Sequence, residues 1–333
     1  MADSLPEIAR IYNDSAWMIC NKTTTLSPVA PLTLPVLFSS DYGYYQGDRV
    51  YRGYFDGQTA TSVNITAQNG VAAGWTAWLN GALLGGSQGN ASQTSTSALL
   101  SFTNATLFDT DNVITVVCAY TGHDETSTDA GVENPRGILG ATLFTSNNST
   151  TNFTTWKIQG NAAGNNNIDP VRGPLNEGGL HGERLGWHLP GFRPNGSEWS
   201  RSSPLTGLNS SGISSYITDF SLDIDSDLDV PIGIRLSAPN GTVARIMIFV
   251  NGYQYGKFVP HIGPQTVFAL QPGIVNMRGD NRLAVSMWAQ TDEGARLDAI
   301  ELVSYGIYES GFGFDRDWSY LQPAWTEDRL QYA

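Results

Sequence analysis

Two constellations in this chain carry residue types that do chemistry. The first is Asn176-Glu177, with Glu183 six residues further on. Hydrolysis of a glycoside with retention needs two carboxyl groups about 5–5.5 Å apart, one ionised and one kept protonated by a raised pKa. In a barrel enzyme such a glutamate sits at the carboxyl end of a parallel strand. Here the Asn-Glu pair lies in a Gly- and Pro-rich stretch, so Asn176 and Glu177 read as turn caps or as partners of Arg172 or Arg184. No catalytic residue is assigned. The second constellation is His123-Asp124-Glu125, which opens a loop closing at Pro135, a setting where binding residues often reside. The trio reads either as part of a binding loop or as a polar loop with its carboxylates in solvent. It has too few spaced ligands for a metal, and His181, His188 and His261 form no zinc pattern. Residues 81–89 are Gly-rich but lack the Lys-Ser/Thr ending of a phosphate loop, so no cofactor is expected; no metal ligands are assigned, with Ca²⁺ left open by so acidic a chain.

Aromatic rings offer a different chemistry, stacking on the C–H faces of sugars. Of nine Trp, Trp75, Trp78 and Trp288 fall inside strand patterns and read as core. Trp187, Trp199, Trp318 and Trp325 lie in irregular segments. Trp187 and Trp199 are candidates either for a sugar platform or for the seal between two domains. A net charge of −13 leaves nothing to replace the counterions around a nucleic acid. The same charge is repelled by an anionic membrane surface, and no apolar run reaches membrane-spanning length. Neither nucleic acid nor membrane is an expected partner.

The elements that must position these residues are written twice. Trp75-Thr76-Ala77-Trp78-Leu79-Asn80-Gly81-Ala82-Leu83-Leu84-Gly85 has a counterpart in Ile246-Met247-Ile248-Phe249-Val250-Asn251-Gly252-Tyr253-Gln254-Tyr255-Gly256. Each is an apolar strand running into Asn-Gly, the pair that suits a type I′ hairpin turn because both residues tolerate positive φ. Phe55 and Phe220 precede the hairpins. Asp111-Asn112 and Asp280-Asn281 open a later strand, Asp124-Glu125 and Asp292-Glu293 follow it, and 139–144 or 297–303 closes each copy. Strand-type runs fall at 50–55, 62–67, 76–79, 113–120, 138–144, 216–224, 232–236, 245–250, 283–288 and 299–305. Gly89 reads as part of a hairpin's return arm, where alanine is expected to be tolerated. The expected fold is all-β: two antiparallel jelly-roll β-sandwiches, residues 1–158 and 204–333. An ordered irregular connector, 159–203, is expected to pack between them with Trp187 or Trp199 at the contact.

Eleven Asn-x-Ser/Thr acceptors begin at Asn13, Asn21, Asn64, Asn90, Asn104, Asn147, Asn148, Asn152, Asn195, Asn209 and Asn240. About four are expected from composition, so the excess points to a secreted, glycosylated protein. The amino terminus is no signal peptide, so the chain is expected to be a piece of something longer. Cys20 and Cys118, both in apolar surroundings, are either one disulfide or two buried thiols.

Four motifs in order carry a resemblance over essentially the whole chain. They are Ser40-Asp41-Tyr42-Gly43-Tyr44 with Arg52-Gly53, Asn134-Pro135-Arg136-Gly137-Ile138-Leu139, and Val171-Arg172-Gly173-Pro174-Leu175-Asn176-Glu177-Gly178-Gly179-Leu180. The fourth is Val250-Asn251-Gly252-Tyr253-Gln254-Tyr255-Gly256-Lys257-Phe258 continuing to Ile262-Gly263-Pro264-Gln265-Thr266. Together they resemble the carboxyl-terminal jelly-roll domains of fungal β-galactosidases of glycoside hydrolase family 35. The resemblance implies β-galactoside oligosaccharides as substrate, and a catalytic (β/α)₈ barrel on the amino-terminal side as partner within one polypeptide. It implies that this chain alone is inactive, since no catalytic residue of the family has a match here. A free-standing carbohydrate-binding module is the alternative.

Overall fold

The computed structural model describes residues 1–123, 134–161, 176–271 and 273–309. They form two compact units. One holds 5–161 and 177–180; the other holds 1–4, 176 and 181–309. The strands run β1 (Ala2–Asp3), β2 (Met18–Cys20), β3 (Arg49–Phe55), β4 (Ala60–Gln68), β5 (Trp75–Leu79), β6 (Ala82–Ser87) and β7 (Ser95–Ser101). Next come β8 (Asn112–Cys118), β9 (Gly137–Thr145), β10 (Thr150–Thr151), β11 (Thr155–Gly160), β12 (Gly212–Asp223), β13 (Leu228–Asp229) and β14 (Ile232–Ser237). Last are β15 (Ala244–Val250), β16 (Tyr253–Phe258), β17 (Val267–Ala269), β18 (Arg278–Ala289), β19 (Ala299–Ser304) and β20 (Tyr308–Glu309). The ladders are antiparallel throughout.

In the first sandwich a six-stranded sheet, β2-β11-β3-β8-β5-β6, packs on a four-stranded one, β10-β9-β4-β7. Alternation does the sorting: Val63, Ile65 and Ala67 of β4 point inward to meet Tyr51, Trp75, Ile114 and Val116. The second sandwich pairs β1-β12-β18-β15-β16 with β17-β14-β19 around Ile234, Ile246, Ile248, Phe268 and Met287. The strand orders correspond. β11-β3-β8-β5-β6 matches β1-β12-β18-β15-β16, and β9-β4-β7 matches β19-β14-β17. The duplication legible in the sequence is therefore a duplicated β-sandwich.

The hairpins carry the closest likeness. Asn80 and Gly81 have φ of 51° and 92°; Asn251 and Gly252 have 50° and 84°. Those are the positive angles of a type I′ turn. Each turn asparagine is also tied to the asparagine that opens the strand alongside. Asn80 Nδ2 donates to Asn112 Oδ1 (3.0 Å) and to Thr106 O (2.8 Å), while Asn80 Oδ1 accepts from Val113 N (2.9 Å). Asn251 Nδ2 donates to Asn281 Oδ1 (2.9 Å) and Ile274 O (2.7 Å), and its Oδ1 accepts from Arg282 N (2.8 Å). Asn112 in turn accepts from Phe108 N and donates to Phe108 O; Asn281 does the same with Asn276. Gly89 departs from its expected tolerance. Its φ is +80°, and a β-carbon there would lie 2.7 Å from the carbonyl oxygens of Ala72 and Ala73.

Asn112→Ala and Asn281→Ala should each destabilise their own sandwich by about 2–4 kcal/mol, since each strands several buried groups worth about 1–3 kcal/mol apiece. Urea unfolding measures this, and a loss under about 0.5 kcal/mol would contradict the amide lock. Gly252→Val should cost about 1–2 kcal/mol for its β-carbon at positive φ, whereas Gly252→Asn, which tolerates that region, should cost less.

Candidate functional site

Every residue of β5, β8 and β15 is buried, so the larger sheets are covered on their outer faces as well. In the first sandwich the cover is a strap of residues 5–17. Thr115 Oγ1 on β8 donates to Glu7 O (2.9 Å). Its cross-strand neighbour Arg52 donates to the carbonyls of Tyr12 (3.1 Å), Ala9 (2.8 Å) and Arg10 (3.3 Å), and pairs with Asp14 at 2.6 Å. Asp14 also takes Lys157 Nζ at 2.7 Å and the Tyr54 hydroxyl. Burial pushes the Asp14 carboxyl up, but hydrogen bonds from Lys157 and Tyr54 and the charges of Arg52 and Lys157 outweigh it and hold the group below its ordinary 3.8.

The second sandwich is strapped by residues 181–200, beginning with a short helix, His181–Arg184. Trp187 meets Trp199 edge-to-face at 5.0 Å and His181 at 5.5 Å. His188 lies on Phe249 of β15 at 4.6 Å. Arg282 of β18 donates to Phe192 O while its guanidinium holds Asp219 at 2.9 and 3.1 Å. The straps share a spacing, Asn13-x-Ser15-x-Trp17 and Asn195-x-Ser197-x-Trp199. In both, the serine N–H donates to the asparagine Oδ1 (3.1 and 3.4 Å).

The sugar-contact candidates are placed accordingly. Trp187 is buried and Trp199 half-buried, and their rings hold the strap rather than lying open as a flat platform. The recess beside them, lined by Glu183, Trp187, His188, Ser215, Phe249 and Ser286, has about 10 Å³ of free volume, room for a water but not for a sugar ring. That is smaller than ligand pockets of roughly 300–1,000 Å³. His123 is exposed, donates through Nε2 to Tyr45 O (3.3 Å) and stands edge-on to Tyr120. Asp124 and Glu125 lie outside the described residues. Asn176, half of the tempting Asn-Glu pair, caps the second hairpin: its Nδ2 donates to Gly252 O (2.7 Å) and its Oδ1 accepts from Gln254 N (2.9 Å). Among the described residues no three His, Cys, Asp or Glu gather as metal ligands, and no helix is long and apolar enough to cross a membrane.

Cys20 and Cys118 are two free, buried thiols, which closes the disulfide alternative. Cys20 is on β2 and Cys118 on β8, with β11 and β3 between them. Three steps of about 4.8 Å across the sheet exceed the ~7 Å Cα separation that a disulfide tolerates. Burial raises both thiol pKa values, that of Cys118 to about 12. Of the glycan acceptors, Asn13, Asn21, Asn90, Asn104, Asn147, Asn148, Asn152, Asn195, Asn209 and Asn240 are exposed, and Asn64 on β4 is half-buried.

A family model described as "Beta-galactosidase second all-beta domain" matches residues 12–124 and again 181–293, each span taking in part or all of a strap and the hairpin of its sandwich. The chain belongs to this β-galactosidase domain family, in two copies. "Probable beta-galactosidase C" of Sclerotinia sclerotiorum is 65% identical over 334 residues, covering 100% of this chain and 34% of the relative. Its namesake in Aspergillus fumigatus is 58% identical over 332 residues, covering 99% and 33%. The chain thus spans about a third of these relatives and matches their carboxyl-terminal, non-catalytic region. The apo Pleurotus ostreatus lectin aligns over 92% of both chains at 12% identity, with a TM-score of 0.23, too low to argue from.

Because the folded Asp14 pKa is depressed, its stabilisation is present above about pH 4 and is lost as pH falls through the folded value. Asp14→Asn should therefore be destabilised at pH 7 and lose less stability than the parent between pH 6 and pH 3, as thermal unfolding across that range would show. A thiol reagent should label neither Cys20 nor Cys118 until the first sandwich unfolds; native labelling would contradict their placement.

Proposed function

We propose that this chain is the supporting region of a secreted β-galactosidase that removes terminal β-D-galactose from oligosaccharides with retention of configuration. In this reading a catalytic (β/α)₈ barrel precedes the chain in the full-length protein. The two sandwiches brace that barrel and shape the rim of its active site. The observation that carries the reading is the match of both copies to the β-galactosidase domain family, together with relatives named β-galactosidase that are three times as long. The side chains agree with a supporting role. Asn176 caps a hairpin, while Trp187 and Trp199 fasten a strap. We extend the reading to glycosylation at the exposed acceptors, which keeps those surfaces in solvent.

The test joins this chain to the preceding two-thirds of the Sclerotinia relative and compares three proteins on a chromogenic β-galactoside. The joined protein should turn over, this chain alone should not, and the preceding part alone should be less active or less stable. Turnover by this chain alone, abolished by Glu177→Gln, would overturn the reading. Calorimetry with galactosides should show no binding by the chain tighter than millimolar, about −4 kcal/mol; a micromolar constant would instead make it a sugar-binding module.

A further inference from the structure

We propose that in the full-length protein the residues leading into Ala2 extend β1 along the open edge of β12 and complete the larger sheet of the second sandwich. The proposal rests on the reading above, that more chain precedes residue 1. β12 pairs with β18 along all of Gly212–Asp223, yet on its other side β1 covers only Ser214 and Ser215. Among the described residues no other strand pairs with that side. An open edge is a template for another strand.

The duplicated fold shows what belongs there. In the first sandwich the corresponding place is held by β11, which pairs with residues 49–54 of β3 and is itself flanked by β2. Phe55 faces Asn112 as Phe220 faces Asn281, so Arg49 corresponds to Ser214. Gly160, opposite Arg49, then corresponds to Asp3, opposite Ser214, and Ile158 corresponds to Met1. The flanking partners agree. Ile158 pairs with Met18, which follows Trp17, and Met1 exchanges backbone hydrogen bonds of 2.8 and 2.9 Å with Ser200, which follows Trp199. β11 continues past the place of Met1 through Lys157, Trp156 and Thr155. Those three places are the ones β1 lacks.

Direction and register fit. β1 is antiparallel to β12 with Ala2 opposite Ser215, so each residue upstream meets the next residue of β12: Met1 meets Tyr216, and three further residues meet Ile217, Thr218 and Asp219. Ser4 N donates to Ile213 O, which places the backbone groups of odd-numbered β12 residues on this side. Ile217 and Asp219 therefore present N–H and C=O groups to an incoming strand. The Met1 ammonium, whose pKa burial lowers, occupies a ladder position where a continuing chain has a peptide N–H.

Hydrogen exchange tests this on two proteins: the chain itself, and the chain preceded by the last stretch of about fifteen residues before the matched region of the Sclerotinia relative, long enough for one strand. The extension should slow exchange of the Ile217 and Asp219 amides about tenfold or more, leaving the Tyr216 and Thr218 amides, bonded to β18, unchanged. Ile217→Pro, which removes an outward N–H, should lower the melting temperature more in the extended chain than in the parent. Unchanged exchange at Ile217 and Asp219 would overturn the proposal. So would protection already present in the unextended chain, which would assign the edge to residues 310–333, or, if it rises with concentration, to a second copy. Neither result bears on β-galactoside turnover by the joined enzyme, so a failure here leaves the supporting role standing.

Discussion

The structure depends on a pair of amides facing each other across a turn. A type I′ hairpin is two residues of backbone with little to hold it in register. Here the side chain of its first residue reaches sideways to the next strand, binds that strand's backbone and meets a second asparagine. Only an amide serves on both sides, because each position must donate and accept at once. Two carboxylates at 3 Å would repel, and two apolar groups would leave backbone groups buried without partners. The central strands of both sandwiches are thus registered by the same four side chains, Asn80 with Asn112 and Asn251 with Asn281. The rest of each sheet builds outward from them.

A second constraint follows from sheets apolar on both faces. The inner face finds the opposing sheet, and the outer face requires a cover. Each sandwich recruits the segment just before its own strands, and each fastens it by an arginine that rises from the sheet to strap carbonyls, Arg52 in one and Arg282 in the other. Backbone carbonyls laid over a sheet have lost their water, and a guanidinium returns hydrogen bonds to several at once. This use of charged and aromatic residues explains why so many side chains suited to sugar chemistry are engaged in architecture. The supporting role proposed above fits side chains spent on holding straps, as Arg52, Trp187 and Trp199 are.

How much of this was legible depended on the range of the signal. The Asn-Gly turns and the strands around them were local, and ten strand-type runs fell on observed strands. Asn112 and Asn281 were visible as repeated Asp-Asn pairs, but their meaning lay with partners about 30 residues away. β11 alternates Trp156 and Ile158 with Lys157 and Gln159, but over only six residues, and the role of Lys157 lies in reaching Asp14 under a strap. The straps show no periodicity, since they lie on a sheet instead of forming one. Apolar neighbours mark Cys20 and Cys118 as buried, but sheet order alone decides that they stay apart. Trp187 and Trp199 were singled out by their irregular setting, and it took coordinates to show each packing on the other.

The chain makes β1 first among these strands, and its partner β12 follows about 200 residues later. Between Asp3 and Gly212 lie the whole of the first sandwich and both segments that flank it. At about 5–20 residues per second, synthesis keeps the two waiting for roughly 10–40 seconds, far longer than a sandwich needs to fold. The second sandwich can close only around a strand that the first sandwich already separates from it in sequence. Its sheet therefore records an order of assembly, in which the first sandwich matures before β1 finds its partner.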